Sequence, residues 1–157
     1  DDIFWGIVGG GPHLEALRRM SSEMGLDDIV EFTGRVPDRK LLEYLNTADL
    51  CVNSDEYNEM NDKSTMNKVL EYMALGKPIV QFDLTEGRYS AQEASLYARP
   101  NDAVDMAEKV ISLLDDPDRR AEMSRIGRDR IVNHLSWDHT SRALLDAYDK
   151  YFTDRGM

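Results

Sequence analysis

The stretch Asn61–Val80, NDKSTMNKVLEYMALGKPIV, reads as a helix that feeds a strand. At 3.6 residues per turn, Met66, Val69, Leu70 and Met73 share one face. Ser64, Asn67, Lys68 and Glu71 fall on the opposite face. Asn61, Asp62 and Ser64 are all good N-cap residues, so the helix is expected to begin among them. Gly76 stands where a C-cap glycine belongs. Lys77-Pro78 then imposes extended backbone, and Ile79-Val80 open a strand. A polar stripe starting at a helix N-terminus suits an anion, because free N–H groups and the helix dipole point at it. A capped amphipathic helix with a solvated face has the same pattern.

Upstream, Ile3–Val8 is an apolar run closed by Gly9-Gly10-Gly11-Pro12, a buried strand and tight turn before a helix over Leu14–Met24. The turn lacks G-x-G-x-x-G, since residue 14 is Leu, and also fits a loop that needs positive φ. Ile29–Phe32 is a second strand, ending in Thr33-Gly34-Arg35-Val36-Pro37. A helix capped by Asp38 follows to Leu45, then a third strand, Leu50–Asn53. Asn53 and Ser54 lie at its C-terminal end, where open parallel sheets bind ligands. Asp55–Met60 reads as a polar loop whose carboxylates are solvated. Ile79–Phe82 and Ser95–Ala98 are further strands, with Asp83–Arg88 a loop in which Arg88 pairs with a nearby carboxylate. Asn101-Asp102 cap one helix. Asp116-Pro117 start another that runs to about Asn133. A last helix spans about residues 138–152, with a frayed tail over 153–157. Strand and helix alternate throughout, which predicts a single α/β domain with about five parallel strands and helices on both faces.

The run Glu71–Val80, with Lys68-Val69-Leu70 before it, resembles the second half of the nucleotide-sugar signature of retaining, family-four GT-B glycosyltransferases. That signature has two glutamates separated by seven residues and an "EAMA-G-P-V" run. Glu71 matches the second glutamate, while the first position is Lys63 here, a departure that leaves the donor-sugar contact unassigned. The similarity extends from Ile7 to Tyr151: Gly9–Pro12 resembles the family's "IVG-G-P" turn, Phe32–Val36 its "F-x-G-x-V" segment, Ala48–Asp55 its third strand, and Ser136-Trp137 its "S-W" before the terminal helix. The resemblance implies a Rossmann-like doubly wound sheet and the C-terminal, donor-binding domain of an enzyme that transfers sugar, with retention, from a nucleotide diphosphate sugar to a glycan or lipid-linked acceptor. It implies donor contacts at Gly10, Gly11, Gly34, Val36, Asn53, Ser64, Thr65, Lys68 and Glu71. No catalytic residue, metal or cofactor is assigned, the nucleotide sugar being a substrate. The expected partner is the N-terminal, acceptor-binding domain of the same protein. The family's first strand–helix unit, which grips the diphosphate with Arg and Lys, has no counterpart here, so these residues alone are expected to be inactive.

Composition bounds the alternatives. The net charge of −11, from 19 basic and 30 acidic side chains, disfavours nucleic acid and anionic membrane surfaces. No apolar run reaches the roughly 18 residues of a membrane span, so a soluble, cytoplasmic protein is expected. The single cysteine, Cys51, reads as a small buried hydrophobe. His13 has no Cys or His at ligand spacing. A nucleotide-sugar epimerase of the same architecture, and a non-enzymatic receiver-like or flavodoxin-like module, are the competing readings. The receiver pattern is met in part only, since the first strand ends in glycines. Finally, the family sheet has order 3-2-1-4-5-6, and the chain begins at its second strand. Closing the empty slot gives order 2-1-3-4-5, with Phe4–Val8 paired in parallel to Leu50–Asn53.

Overall fold

The computed structural model describes residues 3–154. These fall into two compact units, one ending at Thr47 and the other beginning at Ala48. The residues 155–157 of the expected frayed tail lie outside the described range.

In the first unit, β1 (Trp5–Val8) pairs in parallel with β2 (Val30–Gly34), and α1 (Leu14–Glu23) and α2 (Asp38–Thr47) follow the two strands. The register runs Trp5 opposite Val30 to Ile7 opposite Phe32, then slips so that Val8 faces Gly34. The slip ends in a clasp: the Gly9 N–H donates to the Gly34 carbonyl at 2.9 Å. Gly9 and Gly34 hold φ of 136° and 67°, which side chains with a Cβ rarely adopt. β2 therefore runs through Thr33 and Gly34, two residues past the expected end.

In the second unit, β3 (Cys51–Asn53), β4 (Ile79–Phe82) and β5 (Ser95–Ala98) form a parallel sheet in that order. Cys51, Ile79 and Ser95 stand in line, as do Asn53, Gln81 and Tyr97. β4 is central and every residue of it is buried. Two short helices precede it, α3 (Glu59–Asp62) and α4 (Asn67–Ala74). The later helices are α5 (Thr85–Ala91), α6 (Ala103–Leu114), α7 (Pro117–Arg130) and α8 (Trp137–Asp154), with a π-helical turn over Ile131–Leu135.

The core lies here. Val69 and Met73 of α4 pack with Ile79, Ala91 and Ala94, each large side chain gaining about 1.5–3 kcal/mol from burial. Gly127 lets α7 approach closely, since a Cβ there would lie 3.2 Å from Ala94 Cβ. Arginines of α7 close the ends of other helices. Arg130 donates to the carbonyls of Ser90 and Tyr89, both at 2.7 Å, and Arg120 to those of Leu113, at 2.8 Å, and Leu114. Cys51 is buried, and that burial pushes its thiol up to about 12 against the lowering pull of Lys77.

Four expectations are corrected. The helix expected to begin among residues 61–64 begins at Asn67, after the separate turn α3, which also takes Glu59 and Met60 out of the expected polar loop. The expected loop at Asp83–Arg88 is helical from Thr85. The helix expected to reach Asn133 gives way to the π turn after Arg130. Lastly, residues 4–8 do not pair with 50–53: β1 has β2 as its strand partner, and β3 has β4. Closure was expected because buried unpaired backbone groups cost ~1–3 kcal/mol each. Gly6 and Ile7 of β1 are exposed, so that water can satisfy backbone groups of that strand in place of a further strand.

Candidate functional site

In the first unit the expected residues gather at the C-terminal end of the β1–β2 ladder. Gly10 abuts Arg35, where a Cβ would lie 3.6 Å from Arg35 Cγ, and the Gly9–Gly34 clasp holds the two loops together. Gly10 and Gly11 are exposed, and Gly34 and Val36 half-exposed. What this end offers is main chain, because the glycines leave it uncovered.

In the second unit the site is built around the start of α4. Its C-terminal end is a Schellman cap: Gly76 at φ 65° donates to the Met73 carbonyl at 3.0 Å, and Lys77 to that of Tyr72 at 2.8 Å. Its N-terminal end is open. Met66, at the N-cap, is extended and contributes no side-chain cap. Among the described residues, the N–H groups of Thr65, Met66, Asn67 and Lys68 have no hydrogen-bond acceptor, and the first to find one is Val69, bonded to the Met66 carbonyl at 2.9 Å. Four consecutive donors at the positive end of a helix dipole form an electropositive patch without a cation.

The side chains around it are engaged as follows. Lys68 Nζ lies 2.8 Å from Asp55 Oδ2, so its charge is paired rather than free. Ser64 donates to the Met60 carbonyl at 2.6 Å and Thr65 to Glu86 Oε1 at 2.7 Å. Ser64 is off the helix, so the expected stripe of Ser64, Asn67 and Glu71 is broken at its first member. Glu71 is exposed on α4, and its carboxylate accepts no hydrogen bond among the described residues. Asn53 is turned into the protein, 3% exposed, its amide donating to Gln81 Oε1 at 3.5 Å while its own carbonyl oxygen is buried without a partner among the described residues.

Three residues that the sequence reading did not assign to the site hold it in shape. Asp62 and Glu86 anchor residues 62–65. Asn101, at φ 60°, accepts from the Tyr57 N–H at 2.7 Å and so fixes the loop after β3. Asn101 was expected to help cap α6, but Asp102 alone does so, accepting from Val104 and Asp105. The signal for Asn101 was its tolerance of left-handed backbone.

Elsewhere, Arg88 forms the expected carboxylate pair, bidentate to Asp83 at 2.7 and 2.6 Å, and stacks on Tyr97. It lines a cleft of about 550 Å³ along the outer edge of β5 with Arg119 and Met123, away from α4. Among the described residues no group of three or more His, Cys, Asp or Glu is placed to hold a metal ion, and no helix is long and apolar enough to cross a membrane.

The sequence pattern of the family described as "Glycosyl transferases group 1" matches residues 2–116. Among curated proteins, the chain is similar to the GDP-mannose-dependent alpha-(1-6)-phosphatidylinositol monomannoside mannosyltransferase of Mycobacterium tuberculosis, 29% identical over 146 residues, which cover 89% of this chain and 37% of that protein. It is also similar to the lipopolysaccharide core biosynthesis glycosyltransferase LpsD of Rhizobium meliloti, 28% identical over 160 residues, covering 100% of this chain and 43% of LpsD. Among solved structures, sucrose-phosphate synthase from Thermosynechococcus elongatus superposes with a TM-score of 0.82 at 22% identity, over 95% of this chain and 38% of that one. These structures share the Rossmann-like α/β fold of the GT-B glycosyltransferases. The chain thus spans about two fifths of the relatives it matches.

Proposed function

The chain belongs to the group 1 glycosyl transferases, and from that membership we propose that it is the donor-binding part of a retaining enzyme that transfers sugar from a nucleotide diphosphate sugar. The observation that carries the reading is the open start of α4, where among the described residues four N–H groups are free and the Glu71 carboxylate one turn beyond has no hydrogen-bond partner. A diphosphate needs several donors and a favourable dipole, and the start of α4 has both. As the sugar leaves, negative charge grows on the diphosphate, and preorganised N–H groups stabilise it without reorganising.

Glu71 accepts from a ribose diol, two hydrogen bonds to one carboxylate. Lys68, paired with Asp55, supplies screened charge to the same region. Thr65 contributes its main-chain N–H, its hydroxyl being committed to Glu86, whereas the hydroxyl and the N–H of Ser64 both already donate, to the Met60 and Asn61 carbonyls. In the first unit the same reading assigns Gly10, Gly11, Gly34 and Val36 to main-chain contacts with the donor. Asn53 shapes the end of β3 from inside. A glycan or lipid-linked acceptor fits the names of the relatives, and an acceptor domain in the same protein would bind it.

Glu71→Gln in the full-length enzyme tests this. Losing charge-assisted hydrogen bonds worth about 1.5–3 kcal/mol should lower kcat/KM roughly ten- to a hundred-fold. The melting temperature should stay within about 1 °C, because Glu71 is exposed and holds nothing in place. Near-parent turnover would remove Glu71 from the site.

A further inference from the structure

Residues 61–65 are rich in capping side chains, yet α4 starts late and uncapped. The hydrogen bonds of the segment account for it. The Asp62 carboxylate accepts from the Thr85 N–H at 2.8 Å and from the Thr85 hydroxyl at 3.0 Å. It therefore caps α5, whose own N-cap residue, Leu84, has no side chain for the task. The Thr65 hydroxyl donates to Glu86 Oε1, which also accepts from Ser90 at 3.3 Å. Ser64 turns back to Met60. Asn61 bonds through its amide to the Glu56 carbonyl at 2.9 Å. Each side chain able to cap α4 is thus held away from its first turn, two of them at the first turns of α5.

We propose that Asp62 and Glu86 are positioning residues: they tie residues 62–65 to α5 and so keep the N–H groups of 65–68 uncapped for the donor diphosphate. The proposal rests on the donor-binding reading above. Released from α5, residues 65 and 66 would wind onto α4 with Ser64 as its cap; the Lys68 N–H would bond to the Ser64 carbonyl and the Ser64 hydroxyl would accept from Asn67, so two of the four donors would be consumed. The sign of the effect separates positioning from charge. Both residues are acidic, so by Coulomb's law alone removing either carboxylate would strengthen binding of an anion. Positioning requires the reverse.

The test uses the full-length protein, calorimetric titration with GDP and UDP, and amide hydrogen exchange over residues 65–68. Glu86→Ala is expected to weaken diphosphate binding about five-fold, the equivalent of one lost cap. Glu86→Gln keeps an oxygen for the Thr65 hydroxyl and is expected to bind at least as tightly as the parent. Asp62→Ala is expected to follow Glu86→Ala. Amides 67 and 68 should exchange quickly in the parent and in Glu86→Gln, and become protected in Glu86→Ala. Unchanged exchange in Glu86→Ala, or diphosphate binding in it as tight as in the parent or tighter, overturns the proposal. If the parent binds neither nucleotide, the donor-binding reading falls and exchange alone decides: protection gained in Glu86→Ala upholds the positioning role, and none gained refutes it.

Discussion

Gly87 sits mid-helix in α5 against a buried amide. A Cβ there would stand 2.8 Å from Gln81 Oε1, the atom that accepts from Asn53. Alanine is the better helix former by about 1 kcal/mol, so a free site would gain from the change. Here Gln81 is 1% exposed and has little room to retreat. Displacing it would leave the amides of Gln81 and Asn53 without partners, at ~1–3 kcal/mol for each buried group. The loss outweighs the gain, and Gly87→Ala is expected to lower stability by about 1 kcal/mol in denaturant melts. A stabilised Gly87→Ala would show that Gln81 moves freely. Residue positions of this kind are only partly legible in sequence. Periodicity put Glu71 on the polar face of its helix, and it is exposed there; its contact with the donor is what the resemblance implies. What Asn53 and Lys68 bond to was not legible, because Gln81 comes from another strand and Asp55 from a loop.

At the scale of elements, local signals succeeded where the chain supplies its own punctuation. β4 and β5 have the expected bounds, with Pro78 just before the first and the Asp102-capped helix soon after the second. α6 and α7 begin at their local aspartate caps, Asp102 and Asp116. α5 was missed because its cap is Asp62, 23 residues away, and Gly87 lowers its helical preference. The late start of α4 has the same cause, viewed from the other partner. The β1–β2 pair carries a dynamic prediction. Its strands are half-covered, and among the described residues up to Thr47 the one buried side chain is Ser21. Amide exchange follows local opening, which is easiest where few apolar contacts must break. Amides of β1 and β2 should exchange well before those of β4, whose every residue is buried. Equal protection of the two sets by NMR would contradict this.

For the whole molecule, strand–helix alternation sufficed for the α/β class and the parallel strands, and the similar solved structures agree. The expected pairing of residues 4–8 with 50–53 failed, because no residue pattern encodes which strand a given strand pairs with. The relatives are more than twice as long as this chain, so the proposed donor binding is best tested in the full-length protein. The most direct measurement is therefore a structure of the full-length protein with a nucleoside diphosphate. The account predicts phosphate oxygens within ~3.5 Å of the N–H groups of residues 65–68, and the ribose diol on the Glu71 carboxylate. Phosphates farther than that from all four groups, or a ribose without contact to Glu71, would contradict it.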